Sequence, residues 1–191
     1  MAALNFFGTK FKPEVAAAGV FPFGEKSLEE KLHHIVVQEI LSRLPTPGSV
    51  AAAQKHAYEL INLHIRETGK VYRGCNFKTI EERDAFIVMA LAEGLTVSNS
   101  TSDTQCYNGI PLSALFSVSS QRFAAKPGAY GVVFEIDAAK ISYRPVHYFN
   151  EEECPLNISE AEVRTRRVPP DAIVAIHLRS DLKSLQADLR K

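Results

Sequence analysis

The sequence predicts an α+β fold, with helices leading into a mostly β core. Helical periodicity dominates residues 27–68, where Leu28, Leu32, Ile35, Val36 and Ile40 recur at helical spacing, followed by Ala53, Ala57, Leu60, Ile61 and Ile65. Short apolar runs rich in β-branched and aromatic residues dominate the remainder, at 71–74, 115–119, 131–136 and 172–178. A single helical pattern interrupts those runs, so strands and helices do not alternate as a parallel βαβ sheet requires.

Residues 1–26, rich in Phe, Gly and Pro without periodicity, read as a lead-in arm. Ser27-Leu28-Glu29-Glu30 is a capping box, in which the Ser and Glu side chains each cover an exposed backbone N–H. The helix it opens should stop near Leu44-Pro45. Thr46 as N-cap and Pro47 at the first helical position open a second helix, running to Thr68-Gly69. Val71-Tyr72-Arg73-Gly74 is a short strand, and Thr79-Ile80-Glu81-Glu82 is a second capping box. The helix behind it buries Phe86, Ile87, Ala90 and Leu91 and ends at Gly94. Strands are expected at 115–119, 131–136 and 172–178, and a polar strand at 160–168 ends at Pro169-Pro170. The arm and two helices (1–70) should pack on a core (71–191) as one compact domain. Those helices are read as part of the fold, a cover for a cleft, or a partner-binding element.

At 191 residues the chain is long enough to bury a sizeable core. Its 22 basic and 22 acidic residues leave no net charge, so a polyelectrolyte partner is not implied. The three cysteines, Cys75, Cys106 and Cys154, lack metal-ligand spacing and read as free thiols. The six histidines form no ligand-spaced cluster, and His33 and His34 point to different faces, so no metal is expected. No apolar run approaches the roughly 20 residues of a membrane span. The first residues lack the basic start and apolar core of a signal peptide. Folding in a cytosol is the resulting expectation.

The residues that carry chemistry form a sparse set. In a strand, residues two apart share a face roughly 6–7 Å from one another. A strand over 160–168 would put Glu160, Glu162, Arg164 and Arg166 on one side, and Ala161, Val163 and Thr165 on the other. Two carboxylates on one face repel, and one gains proton affinity unless a cation is near. Such a pair suits chemistry in which one group stabilises developing positive charge while its neighbour holds or deprotonates a nucleophile. Taken alone, a solvated edge strand explains the pair more economically. Arg73 stands in an apolar strand beside Gly74, which lets a ligand approach the backbone. A guanidinium there suits bidentate phosphate binding, and a structural salt bridge explains it equally well. Ser117 and Ser119 alternate along 115–119, so both hydroxyls would face one way.

Together these segments resemble the diphtheria- and cholera-toxin-like mono-ADP-ribosyltransferases, in the branch marked by an arginine, a serine motif and a glutamate. Tyr72-Arg73-Gly74 looks like the family's arginine strand. Phe116-Ser117-Val118-Ser119 looks like its Ser-Thr-Ser strand, with Val118 in place of threonine. Arg122-Phe123-Ala124 and the strand at 131–136 resemble the segment and strand that the family places after that motif. Glu160-Ala161-Glu162-Val163, with Val168-Pro169-Pro170 and the run at 173–176 behind it, is similar to the E-x-E strand, Pro-rich turn and final strand. The resemblance covers about residues 71–178. A literal Ser100-Thr101-Ser102 competes for the serine motif, but its surroundings have a loop composition, and Ser117 is preferred.

The resemblance implies a split β-sandwich around an NAD cleft, with NAD as ADP-ribose donor and no metal. Arg73 and Gly74 would hold an NAD phosphate or ribose, and Ser119, Arg122 and Phe123 would add contacts. Ser117 would hold Arg73 and the catalytic glutamate in place, and must therefore sit beside Glu162 in space. Glu162 would stabilise the oxocarbenium ion formed as nicotinamide leaves, and Glu160 would orient or deprotonate the acceptor. Paired glutamates imply a protein acceptor modified on arginine; the resemblance implies a toxin or effector acting in a cytosol, with delivery from a bacterium by a signal-less route left open. Segment 120–130 would close over NAD, and the aromatic and acidic loop at 147–153 would meet the target. The same site with water or nucleic acid as acceptor, or a non-catalytic binding domain on that fold, are the alternatives. No membrane partner is expected.

Overall fold

A computed structural model describes residues 25–41, 48–100, 109–123, 130–145 and 154–179. Helix α1 (Glu25–His34) continues directly into a wider π-helical segment, Ile35–Ile40. Leu28, Leu32, Ile35, Val36 and Ile40, whose spacing predicts the helix, are all buried. Ser27 lies inside the first turn, because α1 is already helical at Glu25, so it does not cap. The expected stop at Leu44-Pro45 and the expected caps Thr46 and Pro47 lie outside the described residues. Helix α2 (Ser49–Thr68) begins after Gly48. It ends as expected at Gly69, whose φ of 69° is the left-handed conformation that glycine adopts without a Cβ clash.

Strand β1 (Lys70–Phe77) extends the predicted arginine strand, and α3 (Ile80–Glu93) comes after it. Thr79 Oγ1 accepts from the Glu82 N–H at 3.1 Å, while Glu82 Oε2 accepts from the Lys78 N–H at 3.0 Å. The box forms, with the Glu reaching one residue further back than the motif requires. Phe86 holds α3 to the sheet, its ring 5.1 Å from Phe77 and 5.9 Å from Phe134. Leu91, expected inward, is instead 37% exposed. Gly94 ends the helix against Val168 and Pro169, where a Cβ would collide with the Val168 carbonyl.

The remaining elements are β2 (Leu95–Thr96), α4 (Val97–Ser100), β3 (Ile110–Ser113), α5 (Phe116–Val118), β4 (Tyr130–Asp137), β5 (Tyr143–Pro145), α6 (Cys154–Ser159), β6 (Glu162–Thr165), β7 (Arg167–Val168) and β8 (Ile173–Arg179). The strands at 131–136 and 172–178 appear as β4 and β8, apart from Ala172, which lies in a 3-10 turn. The strand expected at 115–119 does not form. That segment is helical in α5 and its π-helical continuation Ser119–Phe123, and the strand lies earlier, as β3. Leu115, extended just before α5, and Val118 within it are both buried. The polar strand expected at 160–168 is also shorter. Glu160 and Ala161 form a turn, Arg166 a bend, and only Glu162–Thr165 and Arg167–Val168 are extended.

Six strands form one sheet in the order β5-β6-β3-β1-β4-β8, while β2 and β7 pair separately. Every pairing is antiparallel, as an α+β layout entails. Strand β1 pairs with β4 along its whole length, and β3 pairs with β6 along its own. Between β1 and β3 the register holds a single pair, Tyr72 opposite Ser113. Continuing that register would set Gly74 against Pro111, and proline has no N–H to extend the ladder. The sheet is thus two antiparallel halves, β5-β6-β3 and β1-β4-β8, hinged on one residue pair. The helices are not a separate layer. Leu32, Ile61, Val71, Leu112, Phe134 and Ile158 belong to one hydrophobic cluster. Among the described residues no helix is long and apolar enough to cross a membrane.

Candidate active site

A small open cleft lies where the two half-sheets part. Tyr72, Arg73 and Gly74 of β1 form one wall and Pro111, Leu112 and Ser113 of β3 the other, with Ser119, Glu160 and Glu162 completing it. Arg73 Nη1 donates to the Pro111 carbonyl at 3.0 Å, so the side chain spans the gap between the strands. It also lies against Cys75, a free thiol whose proton affinity burial raises and Arg73 partly lowers. Cys106 and the side chain of Cys154 lie outside the described residues.

Glu162 begins β6 directly opposite Ser113. It is only 6% exposed, and Arg164, two residues on along the same face, donates from Nε to its Oε1 at 2.8 Å. Burial holds its carboxyl above the ordinary carboxylate range. Arg164 and Arg73 pull the other way, while Glu160 pushes it further up. The raised proton affinity thus comes chiefly from burial, with Glu160 a lesser contributor, and not from the pleat of a shared strand face. Ala161 between them has φ 49°, a left-handed conformation that strains a residue with a Cβ. It is fully buried and held on both sides: its N–H donates to Ile158 at 2.9 Å, and its carbonyl accepts from Ala114 at 3.0 Å. This kink, rather than a strand face, sets both glutamates at the cleft. Arg166, expected on the same face, is exposed in the bend after β6.

The serine beside Glu162 is Ser113, not Ser117. Ser113 is 3% exposed; its Oγ donates to the Glu160 carbonyl at 2.7 Å and accepts the Leu115 N–H at 3.0 Å. It thereby ties the glutamate turn to the start of α5. Ser117 sits inside α5, accepts from Ser120 Oγ through its own carbonyl at 3.1 Å, and is not among the residues lining the cleft. The serine set opposite Glu162 in the sheet thus stands four residues before the one expected. Ser119, Gly74, Arg73, Glu160 and Glu162 do meet at the cleft as expected. Arg122 and Phe123 close the π-helical segment, but their side chains lie outside the described residues, as do Thr101, Ser102 and the loop at 147–153. Sequence reasoning missed Ser113 because Pro111 interrupts the short run that leads into it.

A buried carboxylate, hydroxyls and a guanidinium around one opening can bind a sugar and stabilise positive charge on it. Among the described residues no group of three or more His, Cys, Asp or Glu is placed to hold a metal ion. Comparison of the chain with protein-family models, curated proteins and solved structures finds no match.

Proposed function

We propose that the protein is an NAD-dependent mono-ADP-ribosyltransferase acting on a protein acceptor through arginine, on a split β-sandwich. One observation carries this reading: Arg73, Ser113 and Glu162, from three adjacent strands, converge where the sheet divides. The donor set fits the nicotinamide-ribose end of NAD. Glu162, as the anion, faces the ribose and stabilises the oxocarbenium ion as the C1′–N bond breaks and its electron pair leaves on nicotinamide. Arg73 meets a phosphate at the mouth, and Ser113 holds the Glu160 turn in register with β3. Glu160 accepts the proton released when the acceptor nitrogen bonds C1′. Action as a toxin or effector in a host cytosol is part of the same proposal.

The test is a labelled-NAD assay on a host lysate, with nicotinamide release read in parallel. Wild type should label protein, and Glu162→Ala should cut both signals by roughly 10²–10³-fold, the usual cost of losing an electrostatic stabiliser. Nicotinamide release without labelled macromolecule would identify a glycohydrolase. Label on nucleic acid would move the acceptor class. A folded protein that turns over no NAD in any lysate would end the enzyme reading and leave a binding domain.

A further inference from the structure

We propose that Arg164 is the positioning residue for Glu162: it pins one carboxylate oxygen and leaves the other to face the cleft. The inference rests on the transferase reading above and deepens it. Arg164 Nε lies 2.8 Å from Glu162 Oε1, with the two side chains only 17% and 7% exposed, so solvent does not screen the pair as it would at a surface. Both are on β6 and share a face, and the contact needs no help from another element.

Arg164 stands opposite Pro111 on β3 and opposite Arg144 on β5. Like charges directly across an antiparallel pair are unfavourable. Glu162 offsets that repulsion from one side, and in return the arginine fixes the carboxylate. The groups that bear on Glu162 come from three places: Arg164 on its own strand, Glu160 in the preceding turn and Arg73 on β1. Burial and Glu160 favour the neutral acid, whereas Arg164 and Arg73 favour the anion that the reaction needs. Of the two cations, Arg164 makes the hydrogen bond. A lysine there would supply charge without the flat, fixed N–H geometry of a guanidinium.

The experiment compares wild type, R164Q and R164K by kcat, KM for NAD and the pH profile of kcat. R164Q should lower kcat roughly ten- to hundredfold, the loss of a hydrogen bond to a charged group, with KM for NAD little changed. Its acid limb should move to higher pH, because Glu162 then protonates more readily. R164K should restore the acid limb while recovering only part of kcat. An unmoved acid limb in folded R164Q overturns the proposal. If R164Q does not fold, R164K decides, and wild-type kcat in that variant overturns it. A titration of the ¹³C-labelled Glu162 carboxyl by NMR separates this idea from the transferase reading. Absence of NAD turnover defeats that reading alone, and the titration still reports the Arg164 contact. Identical Glu162 titration in wild type and R164Q overturns the positioning role whether or not NAD is turned over.

Discussion

Ser113 and Ser117 are the same side chain four residues apart, and their surroundings assign them different work. Ser113 is buried with one donor and one acceptor contact, to the Glu160 carbonyl and the Leu115 N–H. Truncating it strands both backbone groups, at a cost of about 1–3 kcal/mol each in a buried setting. Ser113→Ala should therefore lower the melting temperature, by about 2–4 °C for each kcal/mol lost in a chain of this size, and loosen the turn that carries Glu160. Ser117→Ala removes a hydroxyl from a short helix and should cost much less in both melting temperature and nicotinamide release. Measuring the two variants side by side decides the point, and the reverse ranking would return the serine motif to Ser117. The sequence favours Ser117 because Leu115, Val118 and the intervening residues satisfy an alternating pattern and an i, i+3 pattern alike. Over so short a run neither period excludes the other.

Element boundaries obey the same logic across the sheet. On β1, β4 and β8 a polar ladder runs over the apolar strands: Lys70 Nζ lies 2.7 Å from Glu135 Oε1, and His177 Nε2 lies 3.1 Å from Glu135 Oε2. The His177 hydrogen bond, seconded by Lys70 and opposed by burial, lowers the Glu135 carboxyl from 4.5 to about 2. A depressed acid stabilises the fold above its unfolded value and loses that contribution as pH falls through its folded one. Wild type should thus lose stability between about pH 4.5 and 2 that Glu135→Gln never had, and the two should converge near pH 2. Urea midpoints across that range check it, and parallel curves would show that the ladder contributes nothing. Strands β4 and β8 were legible because they are largely apolar runs, β1 through its first residues at 71–74, and helices α1–α3 because their buried residues keep helical spacing. Strand β3 was not, and β6 was legible only as part of the longer strand expected at 160–168. Pro111 demotes β3 in any propensity reading, and a left-handed alanine at 161 has no sequence signature, so the turn that breaks the glutamate pair out of the strand was invisible.

At the scale of the whole molecule, the N-terminal helices bear on the cleft through α6. Helices α1 and α2 both pack against α6, whose Ile158 is fully buried and whose carbonyl accepts the Ala161 N–H at 2.9 Å. Packing of α1 and α2 is therefore transmitted to the kink that places Glu160 and Glu162. Leu32, with no exposed surface, sits in the hydrophobic cluster shared with Phe134 and Leu112 of the sheet. Leu32→Ala removes a buried side chain from a packed core and should cost about 2–5 kcal/mol. If the chain is one cooperative unit, far-UV and near-UV signals will fall in a single coincident transition at the lower temperature. Nicotinamide release should weaken well below that transition, because loosened packing around α6 disturbs the glutamate turn before the sheet melts. A helical unit merely resting on an independent core would behave otherwise. Its loss would appear as an early far-UV step, with the near-UV transition and NAD turnover left at wild-type values, and that result would separate the helices from both the fold and the site.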